Sequence, residues 1–529
     1  MKRFAELLDG LVYTSSRNDK VKRLIEYFDT TPDPDRGWAL AAMCSVVDLP
    51  GAKPGIVRGM IANRVDPELF RLSYDYVGDL AETVSLIWPE PIGKNHATLS
   101  LNDIVTELRA ADRNKVKLLL DRWLNTLDAK GRWALLKFLM GGLRIGVSGR
   151  LARISLSEWS GVAVEQIEEI WHGVEPPYTD LFAWLAGNSP KPDIEGKAVY
   201  RPLMLAHPIE FKDLTDLDPR DYIAEWKWDG IRVQLASRNG TVRLFSRTGD
   251  DIGKVFPDIV EGVNFDGVID GELLVYDKDS FPQKFEPAPF NNLQQRLNRK
   301  TVSSKILAEY PAFIRAYDIL YDKTEDLRSL PMSKRRERLE EWYQSKTPTF
   351  ADLSPIISFS NWSELETLRS SARGKAREGL MIKRRNSAYE PGRRRGLWFK
   401  WKRNAMLLDC VLMYAQRGHG RRSSYFSDYT FGVWREDGLV PIGKAYSGFT
   451  DEELQGLDKW VRGHTTERFG PVRAVEQGVV FEVAFDSLHA SKRHKSGLAM
   501  RFPRIHRIRW DKSPADADTL QAAESLMET

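Results

Sequence analysis

Glu225-Trp226-Lys227-Trp228-Asp229-Gly230-Ile231-Arg232 is the stretch on which the reading of this chain turns. Tyr222 to Trp226 has the aromatic and β-branched content of a strand, and Asp-Gly is a turn signal. Lys-x-Asp-Gly therefore sets a primary amine at a strand end, with a carboxylate and an arginine close by. An amine attacks only after losing its proton. Its ordinary pKa is about 10.4, so a reactive Lys227 needs a site that favours the neutral form, by burial or by neighbouring cations. A lysine in that state can attack the α-phosphate of a nucleotide and carry the nucleotidyl group on nitrogen. Alone the motif is weak. Three fixed letters arise by chance in roughly one chain in ten of this length, and a lysine beside a turn is ordinarily solvated.

The segments downstream add weight. Arg247, in Ser246-Arg247-Thr248-Gly249, can hold a ribose or a phosphate. In Asp270-Gly271-Glu272-Leu273 the apolar residues Ile269, Leu273 and Val275 share one strand face, so Glu272 points to the other. It suits a ribose hydroxyl or a metal; on an edge strand it would simply be solvated. Tyr317, in Ala316-Tyr317-Asp318-Ile319-Leu320, can stack on a purine, although a lone strand tyrosine is more often core. Glu378-Gly379-Leu380-Met381-Ile382-Lys383 puts an acid and a cation at opposite ends of an apolar strand. Glu378 suits magnesium, which prefers oxygen ligands and substrate phosphates, and Lys383 suits a phosphate. Arg393-Arg394-Arg395 and Trp398-Phe399-Lys400-Trp401-Lys402 interleave cations with aromatics, a pattern fitted to nucleic acid or nucleotide phosphates. From Arg501 to Lys512 cations alternate with apolar residues. Such a strip can clamp the β- and γ-phosphates of a triphosphate and orient pyrophosphate as leaving group. Ser491 to Gly497 adds a basic loop.

At 529 residues the chain exceeds one ordinary domain, and the length prior suggests roughly three. The hydrophobic fraction of 42%, with 16 Trp and 23 Phe, is enough for several packed cores. A net charge of +4 conceals basic clusters in the C-terminal half, which favour phosphate-rich partners. The two cysteines, Cys44 and Cys410, cannot build a four-cysteine zinc site or a disulfide framework. No long apolar core follows Met1-Lys2-Arg3, and no stretch approaches the roughly 18 apolar residues of a membrane span. The expected location is cytoplasmic, nucleoid-associated in a prokaryote or nuclear in a eukaryote.

Residues 1–195 read as an all-α domain. Thr14-Ser15-Ser16 caps a helix carrying Val21, Leu24, Ile25 and Phe28, and Leu143 to Arg150 forms a Gly-punctuated basic turn. That turn suits a phosphate backbone or an ordinary helix connection. Gly187 to Asp193 reads as a linker. Residues 200–403 read as an α+β domain, with strands at Tyr222–Trp226, 232–236, 242–246, 268–276 and 379–383 and helices at 333–343 and 362–369. Residues 404–529 read as a small β-barrel with a frayed, acidic helical tail after Pro514.

In this order and spacing the segments resemble the nucleotidyltransferase motifs of ATP-dependent DNA ligases. The resemblance covers about residues 200 to 512. It makes Lys227 the adenylated lysine, with Arg247 and Glu272 as the next two motif residues and Tyr317 at an aromatic position where many relatives carry phenylalanine. Glu378, then Lys400 and Lys402, then Arg501 through Lys512 complete the series. It implies an adenylation domain followed by an OB-fold barrel, and a helical DNA-binding domain before them. The implied ATP-binding set is Glu225, Arg232, Arg247, Glu272, Tyr317, Lys383, Arg394, Lys400, Lys402, Arg501 and Lys512, with Glu272 and Glu378 on Mg²⁺ or Mn²⁺. Glu225 would hold the adenine edge or the backbone geometry, and Arg232 and Arg247 the ribose and phosphate region. His419 and its loop resemble barrel surface without chemistry. The implied activity is nick sealing in duplex DNA, in repair, replication or recombination, by a monomer and in three steps: lysyl-AMP formation, AMP transfer to a 5′-phosphate, and displacement of AMP by the 3′-hydroxyl. The barrel is expected to swing between them.

RNA ligases and mRNA capping guanylyltransferases share the Lys-x-Asp-Gly chemistry, but the long helical leader has little use in capping. An NAD-dependent ligase would carry a four-cysteine zinc module. A catalytically dead nucleic-acid scaffold would have little reason to keep Lys227, Glu272, Glu378 and Lys400.

Overall fold

The computed structural model describes residues 1–47, 49, 53–90, 99–277, 280, 284–297, 299, 301–372, 376–417, 425–446 and 448–527. His419 lies outside them.

Helices run from Lys2–Val12 to Thr179–Leu185. Their starts are set by short polar side chains: Ser16, Asp66, Asp79, Ser100, Asp112, Asp128 and Ser148 each accept a backbone N–H of the first turn. Such a cap is worth about 1 kcal/mol. Their apolar stripes meet in one core that includes Phe4, Leu24, Phe28, Val105, Leu120, Trp123, Leu135 and Phe182. The turn at Leu143–Arg150 is an ordered connection. Lys20 Nζ donates to Ile145 O at 2.6 Å, and Ser148 caps the next helix.

The middle of the chain forms two sheets. The first has the order Ile356–Ile357, Tyr222–Trp228, Arg377–Arg384, Trp398–Lys402, His207–Pro208. The second runs Thr241–Ser246, Ile231–Arg238, Gly267–Val275, Ala312–Asp322, Glu325–Asp326, with Ala351–Leu353 also paired to Ala312–Asp322. Asp229-Gly230 is thus more than a hairpin turn, because it carries the chain from one sheet into the other. Gly230 is required there: a Cβ on it would lie 2.4 Å from Leu273 O. The outer face of the first sheet packs Ala224, Leu380 and Ile382 against Trp362 and Leu365 of helix Trp362–Ser370. The outer face of the second packs Val233, Ile269 and Ile314 against Leu339 and Trp342 of helix Met332–Lys346. Between the sheets lies a third core holding Ile223, Trp398, Ala236, Val268 and Leu320. Where that inner layer turns polar, the sheets part and leave a cleft.

The C-terminal strands Met406–Arg417, Phe426–Arg435, Gly438–Ala445, Thr465–Phe469, Val472–Val475, Val480–Phe485 and Arg504–Arg509 belong to one antiparallel sheet around its own core. Helix Asp451–Gly463, entered through a Thr450/Glu453 capping box, packs Leu454, Leu457 and Val461 into it. The frayed tail is a correction: Ala523 of helix Leu520–Ser525 is fully buried, Asp518 N donates to Asp409 O at 2.9 Å, and Trp434 Nε1 donates to Pro514 O at 2.7 Å. No helix among the described residues is long and apolar enough to cross a membrane.

Candidate active site

Strand register builds one wall of the cleft. Lys227 pairs with Gly379 and Gly379 with Lys402; Glu225 pairs with Met381 and Met381 with Lys400; Ile223 pairs with Lys383 and Lys383 with Trp398. Residues two apart share a face, so Glu225, Lys227, Lys383, Lys400 and Lys402 all project from the same side. Strict alternation would turn Glu378 the other way. The ladder slips between Arg377 and Gly379, and this bulge lets Glu378 reach Lys227 as well. Gly379 is needed at φ +142°, because a Cβ on it would lie 2.3 Å from Trp401 O.

The second sheet supplies the opposite wall. Arg232 pairs with Glu272 in register. Another slip, between Asp270 and Gly271, places Tyr317 as the extra residue of its strand and lets its ring line the cleft. The Glu272 strand lies between two others, so Glu272 is not at a sheet edge.

The cleft has a volume of about 430 Å³ and is lined by Glu225, Lys227, Arg232, Arg247, Glu272, Tyr317, Glu378, Lys383, Arg393, Lys400, Lys402 and Arg501, among others. Lys227 Nζ donates to Glu378, so its nearest partner is an anion rather than the cations expected from sequence. Lys402 Nζ stands 3.0 Å from the other oxygen of Glu378. Burial pushes the Glu378 carboxyl up, but Lys227 and Lys402 outweigh it and hold it below its ordinary value. Glu272 makes no ion pair or hydrogen bond among the described residues, and burial raises its carboxyl to about 8 against the opposing charge of Lys227. Lys400 is lowered by burial and then by Arg393, Lys227, Lys402 and Arg247. The cation cluster expected around the nucleophile therefore exists, one neighbour further out.

The end of the cleft at Glu225 and Lys383 is a buried polar frame. Lys383 Nζ donates to Glu225 Oε2 at 3.0 Å and sits 4.5 Å from the Tyr317 ring centroid and 4.8 Å from that of Trp398. Lys383 is therefore spent on Glu225 rather than standing free for a phosphate. Glu225 Oε1 is buried and without a hydrogen-bond partner. Arg232 is likewise engaged, donating to Asp270 at 3.0 and 2.6 Å and to Met204 O at 2.7 Å. Tyr389 Oη donates to Asp270 at 2.7 Å, and Tyr317 Oη finds its partner on the same carboxylate at 3.4 Å.

Two expected residues lie elsewhere. Arg394 is half-exposed, with Nε 3.4 Å from Glu390, and it is Arg393 that lines the cleft. Lys512 donates to Asp409 at 2.7 Å within the C-terminal domain. From that domain Arg501 does arrive, paired with Asp229 and lying 4.2 Å over the Phe290 ring. Asp270, Tyr389 and Asp486 carried no signal in sequence beyond their residue type. Only the folded structure shows what they touch.

Residues 203–402 match the family model described as the ATP dependent DNA ligase domain, and residues 422–512 match the ATP dependent DNA ligase C terminal region. A probable DNA ligase from Koribacter versatilis is 30% identical over 99% of this chain and 96% of its own length. The chain belongs to the ATP-dependent DNA ligases. The family's reaction is the sealing of nicks in DNA, and ATP is its co-substrate. DNA ligase 1 of Korarchaeum cryptofilum is 28% identical over all of this chain and 98% of its own. A solved structure titled Pmar-Lig_PreS3 shares the fold at a TM-score of 0.58 and 17% identity, over 96% of this ligase and 99% of that chain.

Proposed function

We propose that Lys227 carries AMP between ATP and a nicked duplex. ATP lies in the cleft with its base on Tyr317 and its exocyclic amine towards Glu225 Oε1, which accepts no hydrogen bond among the described residues and has Arg336 Nη1 at 3.9 Å. Lys227 Nζ attacks the α-phosphorus, an N–P bond forms, the bond to the β-phosphate bridging oxygen breaks, and pyrophosphate leaves. The ammonium loses one proton before attack, with Glu378 as the carboxylate hydrogen-bonded to it among the described residues, and nitrogen gives up a second as the N–P bond forms. In the second step a 5′-phosphate oxygen at the nick takes AMP from Lys227 and the N–P bond breaks. In the third, the 3′-hydroxyl oxygen attacks the 5′-phosphorus, the phosphodiester forms, and AMP leaves with its phosphate.

The chain has no cluster of three or more metal-type side chains among its described residues. Magnesium ordinarily uses one or two carboxylates plus substrate phosphates, and two carboxylates on facing walls fit that donor set. Glu272 and Glu378 would hold the ion; when bound, Mg²⁺ or Mn²⁺ neutralises charge on the phosphate oxygens. Lys400, Lys402 and Arg247 supply fixed positive charge to the same phosphates. The domain plan that supports this chemistry is a helical DNA-binding unit at 1–195, an adenylation unit at 200–403 and an OB-fold at 404–529, acting as a monomer on nicked duplex DNA.

The observation that carries the reading is the Lys227–Glu378 pair in one cleft that Lys402 and Glu272 also line. Incubation with α-labelled ATP and magnesium should leave label on the protein, and added nicked duplex should remove it. Lys227→Ala should take no label; labelling that survives this change sinks the proposal.

A further inference from the structure

The C-terminal domain touches the cleft in a way that separates two uses of its cations. Asp486 follows strand Val480–Phe485 at the root of the hairpin formed by Ser487–Ala490 and Leu498–Arg501. Its N–H donates to Arg501 O at 3.0 Å, which closes the root. One carboxylate oxygen stands 3.2 Å from Lys402 Nζ, and the other 3.2 Å from Arg504 Nη1. Its carbonyl oxygen accepts from Arg403 Nη2 at 2.8 Å. One residue of the C-terminal domain thus grips two consecutive residues of the middle domain, and Lys402 in turn reaches Glu378 and so Lys227.

The cations beyond the hairpin point elsewhere. Arg507 donates to Glu482 at 3.1 Å, Arg509 to Asp409 at 3.3 Å and Lys512 to Asp409 at 2.7 Å. With Asp486 on Lys402 and Arg501 on Asp229, these three are held against acids of their own domain. None of the three lines the cleft, so to reach a pyrophosphate leaving it they would need the domain turned and the Asp486–Lys402 contact released. Lys402 and Asp486 are part-exposed, at 45% and 25% of their side-chain surface. An ion pair so wetted is weak enough to break in every turnover.

We propose that Asp486 is a positioning residue that holds the C-terminal domain in the orientation used on the nick, and that it serves AMP transfer and sealing but not lysyl-AMP formation. The proposal rests on the reading of Lys227 given above. The contact to Lys402 is electrostatic and reversible, the carbonyl contact to Arg403 fixes its direction, and Arg504 keeps the carboxylate turned towards the cleft.

The test uses the full chain carrying Asp486→Asn and, separately, Arg403→Gln, which weakens the same docking through another contact. Two single-turnover rates are measured: label uptake from α-labelled ATP, and sealing of a nick by enzyme adenylated beforehand. Uptake should stay within about twofold of the parent while sealing falls by about fivefold in both variants, a split that assigns the loss to steps after adenylation. Sealing at the parental rate overturns the proposal. So does an equal fall in both rates, which would make Asp486 merely structural. If Asp486→Asn does not fold, Arg403→Gln decides alone. Failure of the parent to take label on Lys227 would instead strike the proposed function, so the two failures are distinct.

Discussion

Glu272 stands across the cleft from a lysine it does not touch, and its burial has a measurable sign. The carboxyl holds its proton up to about pH 8 in the folded chain, against an ordinary value of 4.5. Between those values the native state binds a proton that the unfolded state has lost. The stabilisation this gives is complete below about pH 4.5 and disappears as pH rises through about 8. Glu272→Gln lacks the titration. In thermal denaturation without ATP or metal, the Tm of Glu272→Gln should gain on the parent as pH is raised from about 5 to about 9. A difference that stays constant across this range would mean that Glu272 is already ionised at neutrality. At this scale much was legible in the sequence, because Lys227, Glu272, Tyr317, Glu378, Lys400 and Arg501 stand in motifs whose residue types announce their chemistry. What could not be read was partnership. Lys383 and Arg232 look like phosphate cations until Glu225 and Asp270 are seen to occupy them, and nothing in three successive arginines says that Arg393 rather than Arg394 faces inward.

The elements explain why. Strand positions follow from alternation, and the sequence placed the Lys227, Glu272 and Lys383 strands to within a few residues of their observed ends, while the Lys400 strand went unread. Alternation has no term for a slipped ladder, yet two slips bring Glu378 and Tyr317 to the cleft. The helix at Asp451–Gly463 is missing from the reading of 404–529 as short strands, although its Thr450-x-x-Glu453 spacing is a capping-box signature. The bulge at Glu378 depends on Gly379. Gly379→Ala would set a Cβ 2.7 Å from the Lys402 Cα in a left-handed backbone region, so a loss of about 1–3 kcal/mol is expected. Urea denaturation checks the stability, and label uptake from ATP should fall with it because Lys402 is displaced. An unchanged urea midpoint would show that the ladder absorbs the methyl without strain.

Across the whole molecule, the helical region is bolted to the middle domain through the carboxylate of Glu169, which lies 2.6 Å from Arg201 and 2.8 Å from Arg328. Beside it His172, kept neutral by burial to about pKa 4, packs 4.8 Å from the Tyr200 ring and occupies the space above Gly249. Composition showed that a linker near 187–193 separates two kinds of chain, but not that the parts are clamped together. Hydrogen bonds to charged groups contribute about 1.5–3 kcal/mol each. Glu169→Ala should therefore cost about 1–3 kcal/mol and speed cleavage of residues 187–193 by a protease of broad specificity. Equal cleavage rates in variant and parent would show that apolar packing alone secures the docking.

The crossing at Asp229-Gly230 has one more effect. Any breathing of the cleft rotates one wall against the other about the short span where the backbone passes between them, and Lys227 sits beside that pivot. Its lever arm is therefore short. Arginines and acids farther along the walls can sweep apart, while the Lys227 nitrogen scarcely travels.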